Sequence, residues 1–317
     1  MTKTSQGHHW ISRINADGVT RKPWQLTSAA HPSRIVTSAL CGFLVLLSGL
    51  ALAQGGIVNS AQNPLQVALL QWNTQDQAPA FGLYGYGISN PVAVAFDGAN
   101  IWVANYGGGF GNTVTELRAS DGTVLGTFTV GSGPVAAAFD GANIWVTNFN
   151  DNTVSKLRAS DGTVLGTFAV GTNPVGVAFD GANMWVANDI SNTVTKLRAS
   201  DGTLLGTFKV AAGPYFMAFD GANVWVANLS SNQVTKLRAT DGKKLGMFNV
   251  GSEPVSVAFD GANVWVTNFK DNTVTKLRAS DGALLGTFSA GTNAYGLAFD
   301  GATIWVANSG SSDVSKL

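Results

Sequence analysis

From Val92 onward, apolar and polar positions fall into short blocks, and the blocks recur. The third copy shows the pattern clearly. Residues 175–179 are β-branched, small or aromatic and end at Asp180-Gly181. Residues 184–188 form a second run, closed by the polar stretch 189–192. Residues 193–199 form a third, closed by Ser200-Asp201-Gly202, and residues 204–210 form a fourth. Short runs of this composition between Asp, Asn and Gly read as strands. Asp-Gly between two apolar runs reads as a tight hairpin, because both residues tolerate positive φ. Each unit is therefore predicted to be an antiparallel meander of four strands, a to d.

The units are copies of one another. The phrase F-D-G-A-[NT]-[IMV]-W-V-[AT]-N begins at Phe96, Phe139, Phe179, Phe219, Phe259 and Phe299. A strand-rich repeat of about 40 residues is the signature of a propeller blade. Blades are covered on both faces by their neighbours, so the inner strands should be apolar throughout. Strand a also carries small residues where blades converge on the axis: Ala93, Ala136, Gly176, Ser256 and Gly296, with Phe216 as the exception expected to fill axial space. Further out the blades diverge, and strand b supplies bulk with Trp102, Trp145, Trp185, Trp225, Trp265 and Trp305. Each Trp can bury about 150–250 Å². A stacking platform for sugars or bases would not recur at one strand position in every blade, so these six are expected to pack between blades. Strand c ends in Lys-Leu-Arg, as at 196–198, and its charges are expected on the solvated outer half of the blade.

The strand count sets the ring size. The last copy stops at Leu317 without a strand d, whereas residues 81–87, Phe-Gly-Leu-Tyr-Gly-Tyr-Gly, align with the strand d at 165–171. This predicts a six-bladed propeller of four-stranded antiparallel blades, its closing blade shared between 81–87 and 294–317. The stretch 67–70 resembles part of a strand c and competes for the place of 313–317, so truncation of a longer ring is the alternative.

The first 53 residues differ in kind. A charged flank at Arg34, an apolar run over 35–53 and the ending Ala51-Leu52-Ala53 read as a secretory signal. At about 19 residues the run is also close to the span of a bilayer, so an uncleaved anchor is the alternative. Residues 54–80 read as a linker and 81–317 as the propeller. The predicted location is periplasmic, extracellular or cell-surface.

Charge and rare residues limit the chemistry. Residues 1–53 carry a net +4 and the remainder a net −4, with no basic stripe. Nucleic-acid binding needs clustered Lys and Arg, and is not expected. His8, His9, His31 and Cys41 all lie in the leader. The processed domain would have neither His nor Cys, which removes the commonest general base and metal ligand, thiol nucleophiles, and Ser-His-Asp triads. No cofactor and no metal are expected. Asp97, Asp140, Asp180, Asp220, Asp260 and Asp300 occupy the a–b turns. Calcium ligation is one reading. Turn chemistry, with Asp bonding its own backbone, is the other, and adjacent turns lie too far apart to share an ion. The Asn ending each strand b is expected to tie loop to strand. The b–c and d–a loops are where the copies diverge. The candidate ligand-binding residues there are Tyr106, Phe149, Asn150, Asp151, Asp189, Glu253, Phe269, Lys270 and Asp271. Variation on loops over a repetitive scaffold is where specificity would reside.

The repeat resembles the YVTN-type β-propeller proteins through Trp145-Val146-Thr147-Asn148 on strand b and Asn152-Thr153-Val154-Ser155-Lys156 on strand c. Trp replaces Tyr throughout. The resemblance implies a secreted or surface propeller of bacteria or archaea, commonly seven-bladed. The phrase S-D-G-x-L-L-G-x-F also resembles the strand-end motif of pyrroloquinoline quinone dehydrogenases, without its closing Trp. The leading expectation is an exported, non-enzymatic binding scaffold. It would be monomeric, would meet a protein, glycan or small molecule on one face, and would touch membrane only through an uncleaved leader. A periplasmic enzyme of quinoprotein or lyase-like type and a structural surface protein are the alternatives.

Overall fold

The computed structural model describes residues 88–317. The leader, the linker and the 81–87 strand all lie outside the described residues. Within them the chain is all-β, a six-bladed β-propeller. The first blade comprises β1 (Pro91–Phe96), β2 (Asn100–Asn105), β3 (Thr113–Arg118) and β4 (Val124–Thr129). The second comprises β5 (Pro134–Phe139), β6 (Asn143–Asn148), β7 (Thr153–Arg158) and β8 (Val164–Ala169). The third has β9 (Pro174–Phe179), β10 (Asn183–Asn188), β11 (Thr193–Arg198) and β12 (Leu204–Lys209). The fourth has β13 (Pro214–Phe219), β14 (Asn223–Asn228), β15 (Gln233–Arg238) and β16 (Lys244–Asn249). The fifth has β17 (Pro254–Phe259), β18 (Asn263–Asn268), β19 (Thr273–Arg278) and β20 (Leu284–Ser289). The sixth shows β21 (Ala294–Phe299), β22 (Ile304–Asn308) and β23 (Asp313–Lys316). Each blade is a simple antiparallel meander.

Local chemistry sets the meander. The a–b turn is closed by glycines in the left-handed region, such as Gly181 at φ 97°. The b–c turn uses Asn for the same purpose, as at Asn192 with φ 53°; Asn tolerates this region better than most residues. Between these turns the pleat sends alternate residues to opposite faces. Trp185, Ala187 and Val194 of the third blade point forward, onto Met217, Val224, Val226 and Leu237 of the fourth. The same packing joins the fourth blade to the fifth and the first to the second. In the first five blades strand d lays an aromatic ring against its own Trp, as Phe168 does on Trp145 with centroids 5.4 Å apart.

One junction differs. Strand a packs against the next strand a from β1 through β5, β9, β13 and β17 to β21, but β21 and β1 lack that extended sidewall contact. The forward-facing valines of strand c, Val114, Val154, Val194, Val234 and Val274, are fully buried, whereas their counterpart Val314 is 39% exposed.

Strand c departs from expectation. Three of its lysines do not reach the solvated half of the blade: Lys156, Lys196 and Lys236 are buried, whereas Lys276 is half-buried and Lys316 exposed. Lys156 Nζ donates to the carbonyls of Ala199 at 2.7 Å and Ser200 at 2.9 Å, in the c–d turn of the next blade. Lys196 and Lys236 make the same pair of bonds. The aliphatic stem lies within the sidewall while the charge meets carbonyl dipoles, so burial is compensated. The arginine that follows stays outside, paired with the turn aspartate, as Arg198 is with Asp201 at 3.0 Å.

Candidate functional site

The repeated tryptophans and a–b aspartates form one device. Asp180 Oδ1 accepts the backbone N–H groups of Ala182 and Asn183, at 2.9 and 2.7 Å. Its Oδ2 accepts the indole N–H of Trp185 at 2.7 Å. The same indole bond joins Asp97 to Trp102, Asp140 to Trp145, Asp220 to Trp225, Asp260 to Trp265 and Asp300 to Trp305. Burial pushes the Asp220, Asp260 and Asp300 carboxyls up, but the bonds they accept outweigh it and hold all three below the ordinary value. Both oxygens of each carboxylate are thus occupied by donors of its own blade. Among the described residues, no three His, Cys, Asp or Glu side chains gather as a metal-binding group would. The Trp rings of the first five blades lie between blades rather than on a surface, and those of the first four are fully buried.

On the opposite face, several loop candidates are committed to holding loops together. Asp151 Oδ2 accepts from Ser132 N and Asp271 Oδ2 from Ser252 N, both at 2.7 Å. Asn150 Nδ2 reaches from the second blade to the Gly109 carbonyl of the first at 2.7 Å. The Asn ending strand b ties loop to strand: Asn188 donates to Thr193 and Thr195 and accepts from Gly171 N. Lys270 is bound through its backbone, donating to the Ser252 carbonyl. Its ammonium lowers the Glu253 carboxyl, but burial, reinforced by Asp271, raises that carboxyl overall. Glu253 Oε2 is buried without a hydrogen-bond partner.

Phe269, Asp189 and Tyr106 come near two residues that the loop pattern did not reveal. Tyr215 and Tyr295 stand at the second position of strand a, where the other four blades carry Val92, Val135, Val175 and Val255. Their hydroxyls lie 3.0 Å apart, linking the fourth blade to the sixth across the axial mouth. Phe216 meets Tyr215 edge-on with centroids 4.9 Å apart, filling the axial space expected of it. Phe269, from the b–c loop of the fifth blade, meets Tyr295 edge-on at 6.1 Å. Burial pushes the Tyr215 hydroxyl well up, and Tyr295, Asp189 and Tyr106 push in the same direction. Asp189 and Tyr106 are therefore within electrostatic reach of the mouth. Phe149 lies in the b–c loop of the second blade, its carbonyl accepting from Asn173 at 3.2 Å. A substitution of Val by Tyr at a position otherwise constant was the available signal for Tyr215 and Tyr295. The mouth offers phenol hydroxyls, aromatic edges and one carboxylate, a set suited to polar organic ligands with an apolar face.

No protein-family model matches the chain, and none of the curated proteins matches it in sequence. The fold has solved counterparts. A streptogramin B lyase structure superposes with a TM-score of 0.63 at 18% identity, covering 74% of this chain and 81% of that one. Hydrazine synthase of Kuenenia stuttgartiensis gives a TM-score of 0.50 at 15% identity, covering 76% of this chain and 99% of the other. At these identities the likeness is one of propeller architecture.

Proposed function

We propose that this chain is an exported propeller of the YVTN type that serves as a binding scaffold, taking its ligand or partner at the axial mouth on the b–c and d–a face. One observation carries the reading. The blades are near-copies, yet the departures at Tyr215, Tyr295 and Phe269 meet at a single point on the axis. Export rests on the apolar run over 35–53 and its Ala-x-Ala ending.

The test is a thermal-shift screen of the chain against glycans, peptides and small polar organic molecules, with and without calcium. A hit that disappears in Tyr295→Val and in Phe269→Ala supports the mouth as the site. A hit unchanged in both variants removes it. The likeness to a lyase makes turnover worth assaying on any compound that binds; Tyr215, Tyr295 and Asp189 would then be the groups available for proton transfer. Turnover lost in Tyr215→Phe would replace the scaffold reading with an enzymatic one.

A further inference from the structure

Among the described residues, the outermost strand of every complete blade, β4, β8, β12, β16 or β20, is hydrogen-bonded on one side only. Each therefore presents a row of unpaired backbone N–H and C=O groups at the circumference. An exposed edge of this kind is a template for another strand, and proteins commonly blunt it with charge, above all with Lys. The five edges differ in this respect. β12 carries Lys209 and β16 carries Lys244. β4, β8 and β20 read VLGTFT, VLGTFA and LLGTFS, without a single charge. They also begin with large apolar pairs turned to solvent: Val124 and Leu125, Val164 and Leu165, Leu284 and Leu285, each 38–62% exposed.

We propose that copies of this chain associate laterally by antiparallel pairing of these uncharged edges, β4, β8 and β20, each meeting an edge of a second copy. Such a contact extends a four-stranded blade into an eight-stranded sheet across the interface and covers the exposed Val and Leu side chains on both faces. A second copy is the occupant because it supplies a strand of matching composition, with no charge on either side to repel it. A two-fold contact of one strand with its own copy satisfies both edges at once. Three such edges around one circumference give multivalency, so association proceeds to arrays rather than stopping at a dimer. This departs from the expectation of a monomer and does not depend on the axial mouth.

The experiment is sedimentation velocity on the chain in the form the expressing cell processes it to, over micromolar to millimolar concentration, where exposed edges associate. Three proteins are compared: the unaltered chain; a triple variant Leu125→Lys, Leu165→Lys, Leu285→Lys; and a charge-matched control, Ala142→Lys, Ala182→Lys, Ala262→Lys, placed in exposed a–b turns. The unaltered chain and the control are expected to show a sedimentation coefficient rising with concentration, and the edge variant one that stays flat. A flat profile for the unaltered chain overturns the proposal, as does equal association of the edge variant. Co-sedimentation with lipid vesicles in the absence of self-association would overturn it too, assigning the apolar rim to a membrane surface. Melting temperatures of the three proteins separate loss of the contact from loss of the fold.

Discussion

The ammonium of Lys156 stands 5.2 Å from the centre of the Trp145 ring and donates at the same time to the Ala199 and Ser200 carbonyls of the next blade. One side chain thereby joins the Trp wedge of its own blade to a turn in its neighbour. The arrangement recurs at Lys196 and Lys236, over Trp185 and Trp225. The first blade carries Glu116 in its place.

Replacing Lys196 with Met keeps the stem and removes the donors. The Ala239 and Thr240 carbonyls then lose their partner in a dry sidewall. The expected loss is about 1–3 kcal/mol, the cost of leaving buried polar groups unsatisfied. Urea unfolding measures it, and a midpoint equal to that of the unaltered chain would show that the bonds contribute nothing.

The aspartate that anchors the indole should behave as a unit with its turn. In Asp180→Ala, the Trp185 indole N–H loses its acceptor, and the N–H groups of Ala182 and Asn183 lose theirs. We expect a destabilisation of about 2–4 kcal/mol, since several bonds to one charged group go together. Trp185→Phe in the same background should add less than it does alone, because the two share one interaction. Strict additivity in the double-mutant cycle would contradict the link.

Acid should weaken the fold through three carboxylates. Asp220, Asp260 and Asp300 titrate below the ordinary Asp value in the folded state. A depressed folded value means stability that is complete above the unfolded pKa and lost as pH falls through the folded one. The loss is therefore expected below the usual carboxylate range. Glu116 runs the other way. Burial, with help from Asp97, raises its carboxyl. Ionising it costs stability as pH rises from the ordinary Glu value through the raised one. Denaturation midpoints against pH should show the acid loss, and Glu116→Gln should remove the upper decline alone. A Glu116→Gln profile that overlays the unaltered one would refute this assignment.

Strand d needs its glycine. A Cβ at Gly166 would lie 2.8 Å from the Phe168 ring, which is stacked on Trp145. Gly166→Ala must displace that ring, at about 1–3 kcal/mol, the usual cost of overpacking. The near-ultraviolet circular dichroism of the buried Trp should change with it. An unaltered spectrum at unaltered stability would mean that the ring moves freely.

Much of this architecture was legible because strand signals are local. Alternation, Asp-Gly turns and a 40-residue period act within one unit, and six copies averaged out accidents of sequence. Turn and strand bounds in the third blade accordingly fall within about a residue of expectation, within the normal scatter of such boundaries. The lysines were misread for the opposite reason. A Lys on a strand reads as solvated until its neighbour is known, and the carbonyls that hold Lys156 lie 43 and 44 residues away. The axial mouth was half visible: Phe269 and Asp189 stood out in variable loops, whereas Tyr215 and Tyr295 sat inside strands, at a position that is Val in the other four blades.

By itself the chain's sequence determined the meander, the blade count and the tryptophan wedge, since periodicity and turn chemistry operate between residues close together. Which carboxylate receives which indole, which lysine crosses to which carbonyl, and that two tyrosines 80 residues apart share a hydrogen bond were decided only by tertiary structure. Those contacts depend on where one blade's face stops and the next begins, and that distance is set by packing around the axis, which no single repeat contains.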